Sequence, residues 1–143
     1  MTSFVVDASV AAKWVLPAKG ELWRPEAFRL LDAYGAGEVS LLVPDIFWAE
    51  CGNIVWKAVQ QQRLPRADAE LAILSMMRRS IPTVPSAALL PEALPIALNF
   101  GCSVYDCLYV ALALQSETQL ITADEGLTNA LAARFPIKWL GAL

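Results

Sequence analysis

Short apolar runs alternate with longer helical patterns along this chain, and that alternation limits the fold more than any other feature. Runs such as Phe4-Val5-Val6 and Leu120-Ile121-Thr122 suit buried strands, and residues with helical spacing follow each of them. The order predicts stacked βα units on a mainly parallel sheet. Strands are expected at 4–7, 39–43, 81–84 and 120–122, with a weaker one at 137–140. Helices are expected over 10–16, 25–36, 45–63, 65–79, 90–99, 104–117 and 125–135. Prolines and glycines such as Pro17, Gly35 and Gly37 punctuate them. The two helices that meet at Leu64-Pro65 read as a helical hairpin or arm.

The 143 residues suffice for one domain with a sizeable core, 1–143, and are too few for two. Apolar residues make up 57% of the chain and charged ones only 17%. A membrane span needs about 20 consecutive apolar residues; the charge-free stretches are shorter and carry Pro82, Pro85, Pro95 or Gly101. Excess hydrophobicity without a span suggests surface shared with a second chain, most simply a homodimer. Met1-Thr2-Ser3 lacks a basic segment and strand-like sequence follows at once, so no secretory leader is expected. Cys51, Cys102 and Cys107 are odd in number and lack CxxC spacing; they read as reduced, partly buried thiols of a cytoplasmic protein. There is no histidine. Ser-His-Asp and Cys-His catalysis are therefore excluded, as are zinc sites with imidazole ligands. A net charge of −3 does not advertise nucleic acid, so any such binding must rely on local basic residues and cations.

Four acids sit at the edges of apolar segments. Asp7 ends the first strand, and Asp124 follows the strand 120–122 by two residues. Open α/β sheets place their ligand crevice at such strand ends. Glu50 and Asp106 lie within a turn or two of helix starts. Each has a plainer reading. Asp7 and Asp124 suit helix N-caps, with Ser9 serving as cap equally well. Asp106 stands three residues after Ser103, which is capping-box spacing. Glu50 shares a helix face with Ile46 and Ile54, where a carboxylate is expensive to bury unpaired, and Lys57 or another base could neutralise it. Asp45 reads as the cap of the helix after Pro44. The remaining acids, Glu21 among them, read as solvated. Carboxylates about 5 Å apart repel by about 3 kcal/mol per pair at an effective dielectric of 20. A gathered quartet would therefore recruit hard, oxygen-preferring cations, Mg²⁺ or Mn²⁺, which suit phosphate chemistry.

The opening VVDASVAAKW, the segment PDIFWAECGN, the stretch SVYDCLYVALA and LITADEGL resemble, in order, the PIN domain and within it the VapC-like toxins of toxin–antitoxin pairs. The likeness runs from Val5 to about Leu127. It implies an α/β fold, a three-layer α/β/α sandwich around a mainly parallel four- to five-stranded sheet, commonly dimeric. It implies a Mg²⁺- or Mn²⁺-dependent endoribonuclease, in which Asp7, Glu50, Asp106 and Asp124 match the acidic quartet. Ser9, Asn53 and Thr122 match neighbouring polar positions. Members cut structured RNA and are held inactive by a VapB-like antitoxin whose C-terminal segment enters the groove. The loop 17–21 departs from the pattern, lacking the usual acid just after the proline.

On that resemblance Asp7, Asp106 and Asp124 would hold one or two cations, and Glu50 would complete the shell or orient the attacking water. Ser9 and Thr122 would hydrogen-bond water or phosphate. Lys13, Lys57, Arg63 and Arg66 are candidates to grip the RNA backbone or, equally, surface charges. Rival readings are an RNA-processing nuclease without a toxin role and a non-catalytic dimeric protein-binding module. A receiver domain fits less well because Asp7 stands alone, and a dehalogenase-type phosphatase because Ser9 fills the second acidic slot.

Overall fold

The computed structural model describes residues 1–143 and has a five-stranded sheet at its centre, in the order β3-β2-β1-β4-β5. The strands are β1 (Thr2–Val6), β2 (Val39–Pro44), β3 (Thr83–Val84), β4 (Gln119–Thr122) and β5 (Ile137–Trp139), and every pairing is parallel. Val5, Val6, Leu120 and Ile121 are wholly buried. Consecutive residues of a strand face opposite sides of the sheet, so it is covered on both.

Seven helices supply the cover: α1 (Ala8–Val15), α2 (Arg24–Gly35), α3 (Ile46–Gln60), α4 (Arg66–Met77), α5 (Ser86–Phe100), α6 (Val104–Gln115) and α7 (Glu125–Leu131). Right-handed crossovers put α1 to α4 on one face and α5 to α7 on the other. The main helix contacts respect that division: α1 meets α2 and α3, α3 meets α4, and α5 meets α6. The central helix α6 packs across β1, β2 and β4. Its residues 107–113 are all buried, which is why it carries almost no amphipathic signal. The three-layer α/β expectation holds.

Helix α5 begins at Ser86, four residues before its expected start, and runs through Pro91 and Pro95. Both prolines are exposed, so their missing N–H groups fall on the outer side while Leu89, Ala93, Ile96 and Ala97 pack inward. Gly101 ends the helix at φ 72°, a left-handed conformation suited to glycine. Asp45 stands at the N-cap of α3 but makes no cap bond. Its carboxylate instead accepts from the Ser86 hydroxyl, tying α3 to the start of α5.

Glu21 departs from the solvated reading. It accepts from Lys13 Nζ at 3.2 Å and from Arg63 at 2.7 Å, and its side chain is only 12% exposed. The loop after α1 is thereby fastened to the end of α3. Beneath it, Ala12, Leu16, Val55, Ala58, Leu64 and Ala72 form a small second core between α1 and the α3–α4 hairpin. Lys13 and Arg63 are structural partners here; Lys57 and Arg66 are exposed, the latter 4.0 Å from Glu70. Glu21→Ala strands the Lys13 ammonium without an acid. It should lower stability by about 2 kcal/mol, discounted from a fully buried pair because Arg63 is a third exposed, and urea unfolding reads it as a lower midpoint.

Candidate active site at the carboxyl edge of the sheet

The chain leaves β1 toward β2 and β3, then returns across the sheet to β4 and β5. Strand order reverses between β1 and β4, and a crevice opens beyond their carboxyl ends. Asp7 is the first residue after β1, and Asp124 stands two past the end of β4. Val6 pairs with Ile121, and the Asp7 N–H donates to the Ile121 carbonyl at 3.0 Å. That register sets Asp7 beside Thr122. Helix α3 starts at the same edge because it follows β2, and Glu50 lies one turn into it. Helix α6 leads back toward β4, so its N-terminus also lies at this edge, with Asp106 its third residue.

Asp7 is 6% exposed. Ser9 and Thr122 each donate a hydroxyl to its Oδ2 at 2.7 Å. Ser9 Oγ also accepts from Ala123 N–H, and Thr122 Oγ1 from Asp124 N–H, both at 3.0 Å. Two hydroxyls thus stitch the turn after β1 to the turn after β4, with Asp7 as the shared acceptor. Each hydroxyl has one proton, committed to Asp7, so Ser9 and Thr122 hold this acid rather than reach outward. Asp7 occupies the N-cap position of α1 without a cap bond. Burial pushes its carboxyl pKa up; the two hydroxyl bonds oppose this, and the Asp124 charge adds to it.

Glu50 is half-buried, and the Tyr109 hydroxyl donates to its Oε1 at 2.6 Å. Burial raises its pKa, as do the charges of Asp7 and Asp106, against the Tyr109 bond. Lys57 does not neutralise it. Ile46, Ala49, Asn53, Ile54 and Tyr105 line a depression of about 350 Å³ with Glu50. Asn53 is exposed there and bonds none of the acids. Asp106 is half-buried, and its backbone N–H donates to Ser103 Oγ at 3.1 Å, one half of a capping box. Its pKa is raised by burial, then by the charge of Asp7, with the nearby Ser103 hydroxyl opposing and Asp124 adding. Asp124 caps α7: its Oδ1 accepts from Leu127 N–H at 3.0 Å.

The four acids therefore feel one another's charge, and none forms a salt bridge with a lysine or arginine, whereas Glu21 alone takes two bases. Oxygen donors, shared negative charge and no internal cation suit a divalent metal of Mg²⁺ or Mn²⁺ type. In the conformation described, no three acidic or cysteine side chains are already disposed around one point as a ligand set. Asp7, Glu50 and Asp124 each turn one oxygen to a donor within the protein instead. The residues fit such an ion in kind and charge.

Tyr109 escaped the sequence reading. Its one signal was a phenol amid leucine, valine and alanine on a helix buried all round, since a buried hydroxyl normally has a partner. The three cysteines are free, as expected; Cys51 and Cys107 are buried, and burial raises the thiol pKa of all three, that of Cys107 to about 11.

Residues 4–131 match the PIN domain. The chain belongs to the PIN-domain family. Its relatives include ribonuclease VapC9 of Mycobacterium tuberculosis, 32% identical over 97 residues, which are 68% of this chain and 75% of that one. Among solved structures, PAE2754 of Pyrobaculum aerophilum superposes with a TM-score of 0.70 at 22% identity, covering 99% of this chain and 91% of that one. VapBC2 of Rickettsia felis, bound to a DNA fragment from its promoter, gives 0.64 at 11% identity, covering 96% and 98%. These structures share the PIN fold.

Folding raises the pKa of Asp7, Glu50 and Asp106 above their ordinary values of 3.8, 4.5 and 3.8. Between ordinary and raised values the folded chain binds more protons than the unfolded one. The contribution of these groups is thus fully favourable below the ordinary values and is lost as pH rises through the folded ones. In EDTA at pH 7, Asp7→Asn should therefore melt above wild type. The gap should narrow as pH falls toward 4, and thermal melting across that range measures both.

Proposed function

We propose that this chain is a Mg²⁺- or Mn²⁺-dependent endoribonuclease that hydrolyses RNA phosphodiesters as a single-domain enzyme, and that it is the toxin of a toxin–antitoxin pair. The observation that carries the reading is the set of four carboxylates without a basic partner at the switch point of the sheet. Asp7, Asp106 and Asp124 would hold one or two cations, directly or through water. Divalent ions held there would supply water of lowered pKa and neutralise charge on the phosphate oxygens. Ser9 and Thr122 keep Asp7 in place. Glu50 Oε2 makes no hydrogen bond within the protein and is the atom suited to orient the attacking water.

The name ribonuclease VapC9 of a relative supports RNA as substrate, and the VapBC2 structure supports a VapB-like antitoxin partner. A cavity of about 790 Å³ on the α3–α4 hairpin, lined by Val55, Trp56, Val59, Ile73 and Leu74, contains none of the four acids and suits a protein segment. The exposed leucines 90, 94 and 98 form a stripe along α5 that supports a homodimer. No helix is long and apolar enough to cross a membrane; the three free thiols suit the cytoplasm.

A second reading, a non-catalytic dimeric protein-binding module, draws on the cap made by Asp124 and on the lack of a ready ligand set. Metal and cutting assays separate the two. Wild type dialysed against EDTA should cut a tRNA and ribosomal RNA mixture only after Mn²⁺ or Mg²⁺ is restored, leaving 5′-phosphate ends. Mn²⁺ at a hundredfold excess over its Kd should add about 2.7 kcal/mol of stability. Asp7→Asn should fold and not cut; cutting at the wild-type rate by that variant would falsify the assignment.

A further inference from the structure

We infer that Tyr109 is a positioning residue for this site, holding Glu50 by one carboxylate oxygen so that the other is left to orient an attacking or metal-bound water. The inference rests on the nuclease reading above and adds to it a residue outside the acidic quartet.

Tyr109 is wholly buried on α6, three residues after Asp106, so both project on neighbouring positions of one helix face. Its hydroxyl reaches across to α3 and donates to Glu50 Oε1 at 2.6 Å. That length lies at the short end of the hydroxyl–oxygen range, where hydroxyl bonds to carboxylates fall. The phenol has one proton, so its direction is set once Glu50 accepts it. Glu50 makes no other side-chain hydrogen bond within the protein. Ile46 and Ile54 flank it along its helix, and neither can donate. No base pairs with it.

A glutamate has three side-chain torsions, and the Tyr109 bond selects among their combinations. With Oε1 occupied, Oε2 is left without a partner. Core packing alone does not call for the hydroxyl: phenylalanine fills nearly the same volume without the cost of burying a polar atom. The hydroxyl is accounted for by Glu50. Helix α6 then serves the site twice, by carrying Asp106 and by fixing an acid of α3. Partners of this kind to metal-binding groups are typically worth 10–100-fold in affinity or activity.

The test compares wild type, Tyr109→Phe, Glu50→Ala and the double variant, using Mn²⁺ titration followed by the EPR signal of free Mn²⁺ and cutting of tRNA. Tyr109→Phe should weaken Mn²⁺ binding or lower kcat about tenfold. KM should stay within twofold and the melting temperature in EDTA within a few degrees. In the Glu50→Ala background the same change should do nothing further. Glu50→Asp, one methylene too short to meet the phenol and leaving the core intact, should reproduce the loss even if Tyr109→Phe folds poorly. Wild-type Mn²⁺ affinity and kcat in Tyr109→Phe overturn the positioning role. So does an equal loss from Tyr109→Phe with and without Glu50, which would mark a packing effect. Asp7→Asn separates the two levels. If it is inactive while Tyr109→Phe matches wild type, only the role of Tyr109 falls. If wild type neither binds Mn²⁺ nor cuts, the nuclease reading falls and takes this role with it.

Discussion

The pairing of β1 with β4 is the constraint on which the rest depends. These strands are adjacent in the sheet although more than a hundred residues separate them, and the chain departs from them in opposite directions. Right-handed crossovers then require helices on opposite faces, so nothing fills the space beyond the two strand ends. The register Val6 to Ile121 places Asp7 against Thr122. From there two hydroxyls bind the adjoining turns into one unit around a buried carboxylate. Shifting β1 by one residue would turn Asp7 to the other face and bury a polar group where Val6 now packs.

The acids are held in two ways at once. Caps and hydroxyl bonds satisfy part of the carboxylates of Asp7, Glu50 and Asp124, which lets the cluster exist inside a stable fold. Burial and mutual repulsion leave an unfavourable remainder, visible in the raised pKa values of Asp7, Glu50 and Asp106. An oxygen-preferring cation is the simplest group that removes it. Capping and metal binding, set against each other when each acid is weighed alone, are therefore compatible: Asp124 spends one oxygen on Leu127 and retains the other. The ion pairs of Glu21 lie apart from this cluster and fasten the α1–α2 loop, so the bases that might have neutralised the quartet are engaged elsewhere.

How much was legible varied with how local the cause was. All five strands were readable, because each is a short apolar run between turn residues, and even the weak run at 137–140 yields β5. The expected helix 90–99 already ran through Pro91 and Pro95, and only the first turn of α5, from Ser86, went unread. Asp45 passed for a cap because its real partner, Ser86, lies in another helix. Glu21 passed for a solvated acid because one of its two bases is 42 residues away.

The alternation of apolar runs and helical patterns was enough, by itself, to determine a parallel α/β sheet and to mark Asp7, Glu50, Asp106 and Asp124 as acids at element edges. Periodicity and strand propensity act over a few residues, so a linear string records them in full. Which oxygen each acid presents, and which neighbour restrains it, was decided only in three dimensions. Tyr109 meets Glu50 across 59 residues of chain, a contact that exists because α3 and α6 both begin at one edge of the sheet. Hydrogen bonds depend on distances of tenths of an ångström between atoms of different elements, and only the packed fold sets those distances.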